Sequence, residues 1–133
     1  MSTLKETLWL AEQATQAALL FWPVSVFIAV FAATSTILDF RKRRGNFKKS
    51  IIRFLSPTVF PVLIILIGSI LRNQAEFDFI PMTIVGVSAI ISVCIVVTNK
   101  EFWSSGLGIN LAIMWTSVLA HFIATMSISN DWL

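Results

Sequence analysis

Phe79-Ile-Pro-Met-Thr-Ile-Val-Gly-Val-Ser-Ala-Ile-Ile-Ser-Val-Cys-Ile-Val-Val97 contains no charged side chain. A helix of that length rises about 28 Å, close to the roughly 30 Å hydrocarbon core of a bilayer. Its apolar residues come in consecutive blocks, as in Ile90-Ile-Ser-Val-Cys-Ile-Val-Val97, and so do those of Val62-Leu-Ile-Ile-Leu-Ile67. A barrel strand with one face to lipid would alternate instead, so the spanning element is a helix. Stretches 20–38, 51–71 and 107–128 share the pattern. The expected fold class is therefore all-α: a polytopic membrane protein, a bundle of four transmembrane helices with spans at about 20–40, 51–71, 79–98 and 104–128.

Composition agrees. The chain is 56% hydrophobic and 13% charged, with a mean hydropathy of +0.83, whereas a soluble domain has roughly a quarter of its residues charged. The four spans leave fewer residues in any one place than the roughly 40–60 that even a marginal soluble domain needs. Residues 1–133 thus read as a single integral membrane domain. Cys94, the only cysteine, excludes an intrachain disulfide and a thiolate metal cluster and reads as a small packing residue. The start lacks a basic segment followed by a short apolar core and a cleavage site, so the N-terminus is expected to be retained. The Met-Ser start and Asp-Trp-Leu end carry no lipid-attachment box.

Charge sets the threading. Segment 39–53 holds Arg41, Lys42, Arg43, Arg44, Lys48, Lys49 and Arg53, seven of the ten Lys and Arg residues. Short loops rich in these residues stay cytoplasmic, so the basic loop 39–53 is expected inside. By alternation 72–78 lies outside, 99–101 inside, and both termini are external. The aromatic residues fit: Trp22, Phe77, Phe79 and Trp132 fall near the outer interface, and Phe40, Phe47, Phe54, Phe102 and Trp103 near the inner one. Trp115 alone lies at mid-depth, as a packing residue. Gly45-Asn46 predicts a turn that makes the basic segment a tight hairpin of helix ends.

Local signals shape the spans. Residues 3–20 place Leu4, Leu8 and Ala11 on one face and Glu6, Gln13 and Gln16 elsewhere, which fits either a helix lying in the outer interface or an extension of the first span. Pro23 favours a bend near Trp22. Pro57 and Pro61 each remove an amide donor, so the second span should be kinked or locally unwound there. Asp78 with Pro81 predicts an N-cap and first turn for the third helix, and Ser104 or Ser105 a cap for the fourth. The two halves share no repeat of Pro and Gly positions, which gives no support to an inverted-repeat transporter.

Two patterns mark the last span. Gly108, Ala112, Thr116, Ala120 and Ala124 recur every four residues, a ridge of small side chains that lets another helix approach closely. Ser25, Ala29 and Ala33 repeat it in the first span. Such ridges serve packing within one chain as well as between subunits. Asn110, Ser117, His121 and Thr125 form a polar stripe. An intramembrane histidine is costly in lipid and titrates near physiological pH, so His121 either satisfies a hydrogen bond inside the bundle or marks a pore. A proton relay would lack its second member, because no carboxylate is expected at that depth.

Catalysis finds no support: a nucleophile with a base, a metal-ligand cluster and a glycine-rich phosphate loop are all missing from the pattern. Neither an enzyme nor a cofactor or metal is expected. The basic residues can meet anionic lipid headgroups or an acidic cytoplasmic protein, with nucleic acid the less expected partner. The expected function is a small non-enzymatic helical subunit of the bacterial inner (plasma) membrane. It oligomerises or assembles with other membrane subunits and presents its basic loop to a partner. A pore-forming, channel or holin-like effector is one alternative, and an immunity protein against a membrane-active toxin is another.

Overall fold

Pro23 lacks the amide that would bond the carbonyl of Leu19, and its ring crowds that carbonyl. The helix therefore breaks at Phe21 alone, ending α1 (Thr3–Leu20) and starting α2 (Trp22–Lys42). The ladder continues on both sides, with Phe21 N–H donating to Ala17 O and Ser25 N–H to Phe21 O, both at 3.1 Å, so the chain bends without unravelling. Ser25 Oγ donates to Ala18 O at 2.9 Å. Seven residues separate these two by about 10 Å of rise in a straight helix, and the bond exists because the bend closes that side.

The computed structural model describes residues 3–42 and 44–130, without the side chain of Arg44. The expectations for Arg43 and Trp132 fall outside the described residues. The remaining helices are α3 (Arg44–Leu55), α4 (Val59–Ile70), α5 (Phe79–Thr98) and α6 (Trp103–Ser129), joined by 3₁₀ turns at Ser56–Thr58, Ala75–Phe77 and Lys100–Phe102. Four helical stretches are long and apolar enough to cross a membrane: Trp22–Lys42, Gly45–Ile70, Ala75–Thr98 and Lys100–Ser129. The second is α3 and α4 joined through the proline turn. Pro57 cannot donate to Arg53 O, and Ser56 Oγ fills that acceptor at 2.7 Å while Thr58 Oγ1 fills Leu55 O at 2.6 Å. The local unwinding is thus capped by hydroxyls.

The described residues of segment 39–53 are the helix ends expected there, the last turn of α2 and most of α3, with Gly45 and Asn46 inside a helix. Among the described residues no glycine has a positive φ, so the turn that Gly45-Asn46 predicts does not form there. Arg41 and Lys42 sit in the last turn of α2, where cations complement the helix dipole.

α6 packs against each of the other five helices. Small and hydroxylic residues make up much of what these helices bury, beside Ile64 and Ile65 on α4. Ser35 and Asp39 are buried on α2, Gly68 and Ser69 on α4, Ser88 and Ser92 on α5, whereas Phe27, Val30, Val62, Ile90 and Val93 are exposed. Lipid permits this inside-out arrangement, since large apolar side chains lose nothing by facing it and small ones let backbones approach. A Cβ on Gly68 would lie 2.7 Å from Ala124 Cβ, and one on Gly108 2.9 Å from Ala32 Cα. Both positions accept only hydrogen.

α1 follows the same rule. Its apolar face of Leu4, Leu8 and Ala11 is exposed, and Leu10 joins Ile64, Ile65, Ala120, Ile123 and Ala124 in the core, flanked by Ala14 and Ala17. The face that sequence reasoning set apart is thus turned away from the bundle, and α1 packs along α4 and α6. Glu6 pairs with Arg72 at 3.4 Å and Thr7 Oγ1 meets Ser69 Oγ at 3.0 Å, which ties the start of α1 to the end of α4.

Candidate functional site

At one end of the body α2 closes on α6. Asp39 Oδ2 accepts from the Ser105 backbone N–H at 3.1 Å and from Ser105 Oγ. Ser105 occupies the first turn of α6, where backbone N–H groups have no partner in their own helix, and a carboxylate there also complements the dipole. The expected caps differ. Ser104 and Ser105 lie inside the helix, the cap arrives from α2, and Asp78 stands at the N-cap position of α5 without a side-chain cap bond. Phe47, Phe54 and Phe102 are buried together beside this contact, with ring centroids of Phe47 and Phe102 5.4 Å apart and of Phe40 and Phe47 5.9 Å apart. These aromatics form a plug that holds α2, α3 and α6 together, while Trp103 alone of the group is mostly exposed.

Around the plug Arg41, Lys42, Lys48, Lys49 and Arg53 are exposed, and their side chains make no ion pair among the described residues. Lys100 is exposed at the same end. The opposite end carries the Glu6–Arg72 pair and the turn at Asn73, whose φ is 62° and whose N–H donates to Ser127 O at 3.2 Å. Charge is therefore sorted to the two ends.

The small ridge of α6 does not meet a single neighbour. Gly108 touches α2, Ala120 and Ala124 face α1 and α4, Ala112 is half-buried, and Thr116 is exposed with its hydroxyl on Ile113 O at 2.8 Å. On α2, Ser25 accepts from Trp115 Nε1 at 2.9 Å, and Ala32 and Ser35 meet Gly108, whereas Ala29 and Ala33 are exposed on the other side. The polar stripe is divided as well. Asn110 and Ser117 are buried, and His121 and Thr125 are half-buried with Nδ1 and Oγ1 3.4 Å apart.

Between α5 and α6 lies a groove of about 280 Å³ whose lining includes Ser92 and Asn110. Sequence reasoning singled out Asn110, but neither Ser92 as its neighbour nor the Asp39–Ser105, Ser25–Trp115 and Glu6–Arg72 contacts, which join residues far apart in the chain. A lone acid at the edge of an apolar span was the available signal for Asp39. Among the described residues no three His, Cys, Asp or Glu side chains come together. Comparison with protein-family profiles, curated proteins and solved structures finds no match.

Proposed function

We propose that this chain is a non-enzymatic helical subunit of the bacterial inner membrane that assembles with other membrane helices and offers its basic end to an acidic cytoplasmic partner. The observation that carries this reading is the cluster of exposed Arg41, Lys42, Lys48, Lys49 and Arg53, which form no ion pair among the described residues, on helix ends over the aromatic plug. Positive charge held on helices keeps a fixed spacing, which suits docking to a complementary surface and steers its approach. The inside-out packing supports the membrane setting, and both Asp39 and Glu6 are engaged in joining helices.

Affinity purification from mild-detergent membranes tests the reading, with wild type beside a variant in which Arg41, Lys42, Lys48 and Lys49 become Gln. The expected result is an acidic soluble protein recovered in fixed proportion with wild type and lost from an equally well inserted variant. Equal recovery by both overturns the role of the basic end. Liposomes carrying the purified chain should hold an ion gradient, and robust conductance abolished by His121→Gln would make the pore the better account.

A further inference from the structure

We propose that the outward face of α1, formed by Lys5, Leu8, Glu12, Gln16 and Leu19, seats a transmembrane helix of another subunit that carries a Lys or Arg side chain at the depth of Glu12. The inference deepens the membrane-subunit reading above and rests on it.

The depth follows from the way α1 packs. Glu6 and Thr7 meet Arg72 and Ser69 at the end of α4. Leu10 then joins Ile64, Ile65, Ala120 and Ala124, with Ala14 against the same cluster. Ala14, Thr15 and Ala18 line a cavity of about 190 Å³ together with Thr116 and Leu119, and beyond the bend Ser25 accepts from Trp115. α1 thus descends beside α4 and α6 and reaches the middle of α6 (Trp103–Ser129) before the chain bends. It is α1 and α2 together that run the length of α6, from Glu6 to the Asp39–Ser105 contact. At the rise of an α-helix Glu12 lies about 9 Å below Glu6 and Gln16 about 15 Å below it.

At that level α4 and α6 expose Val62, Leu66, Val118 and Phe122, side chains suited to lipid. α1 exposes Glu12 and Gln16 instead. Spacings of seven and four residues set Lys5, Glu12 and Gln16 in one line, with Leu8 and Leu19 on the same face and Leu10 on the opposite one. Among the described residues Glu12 makes no ion pair, and it stands apart from the sorting of charge to the two ends. Sequence reasoning expects no carboxylate at this depth, and the packing of α1 along α6 brings one there.

A carboxylate facing hydrocarbon is costly, and acids inside a bilayer pair with another group or border water. Charge decides the occupant. Two copies of this chain inserted alike, about an axis along the membrane normal, set Glu12 opposite Glu12 and Lys5 opposite Lys5, which repels at both levels. A helix with one cation opposite Glu12 and apolar residues against Leu8 and Leu19 satisfies the face, and the Gln16 amide can donate to it and accept from it.

The test uses the full chain with Cys94→Ala and Ala75→Cys, labelled at position 75 and reconstituted in liposomes with synthetic membrane-spanning peptides of Leu and Ala whose central residue is Lys, Leu or Glu. Energy transfer to labelled peptide should show the Lys peptide binding about tenfold more tightly than the Leu peptide, and the Glu peptide binding more weakly than either. Glu12→Lys, at an exposed position that the fold does not depend on, should reverse this order. Equal affinity of the wild-type face for all three peptides overturns the proposal, as does an order unchanged by Glu12→Lys. In intact cells with Cys94→Ala, Glu12→Cys should react with an impermeant maleimide far more slowly than Ala75→Cys. Reaction as rapid as at position 75 would put water on this face and overturn the proposal without any peptide. A disulfide dimer formed by Leu8→Cys on oxidation in liposomes would assign the face to a second copy and also overturn it. None of these measurements involves the basic end, so their failure is distinct from a failure of docking there. Release of the chain by alkaline carbonate would overturn the membrane reading itself.

Discussion

Asp39 joins α2 to α6 by accepting two hydrogen bonds at a site from which water is nearly excluded. Removing it exposes no cavity of consequence, yet it leaves the Ser105 N–H buried without an acceptor, and that loss sets the cost. Asp39→Ala is expected to lower stability by about 1–3 kcal/mol, seen as a fall of several degrees in the detergent melting temperature. Asp39→Asn keeps an oxygen acceptor and should lose less. Equal losses for the two would show that charge, and not acceptance, holds the contact. This residue was readable in the sequence only as an acid near the end of a span. Its partner lies 66 residues away, and nothing in local propensity connects them.

Single helices show which inferences transfer from soluble proteins and which do not. Four helices long and apolar enough to cross a membrane were legible because that depends on hydropathy summed over each stretch, and the break at Pro57 because proline acts through its own covalent structure. Which residues of α1 meet the bundle was not: among lipid tails the gain comes from close approach, so Leu4 and Leu8 face out while Ala14 and Ala17 face in. Equal spacing of small residues was also insufficient, since Ala29 and Ala33 fall on the exposed side of α2. Gly108→Leu is therefore expected to cost about 2–3 kcal/mol by wedging α2 from α6, whereas Ala33→Leu should stay within about 0.5 kcal/mol in the monomer. Melting temperatures of the two proteins in the same detergent check this, and equal destabilisation would mean that Ala33 also lies against a helix.

For the whole molecule the informative quantity is the separation of charge between two ends of an apolar body. The positive end was legible in the sequence from residue counts alone, but the turn expected at Gly45-Asn46 does not form there, since both residues lie inside α3. The proposed orientation, with the basic end in the cytoplasm, makes a labelling prediction. In a Cys94→Ala background, Ala75→Cys should react rapidly with a membrane-impermeant maleimide in intact cells, and Asn46→Cys should react only after permeabilisation. Both positions are exposed, so accessibility within the protein does not bias the comparison. Rapid external reaction at position 46 would invert the threading.

Because α6 is the helix that all others touch, and because it follows them in the chain, the order of synthesis acquires meaning. At about 5–20 residues per second, seconds pass between the emergence of α5 and that of α6. During that interval Ser35 of α2 and Gly68 of α4 lack Gly108 and Ala124, the α6 residues they meet in the finished body. A ribosome stalled before position 103 would leave spans already threaded through the bilayer but no closed body, so quality control should see such chains as orphans. Supplying α6 afterwards as a separate peptide is then a natural way to watch the body close.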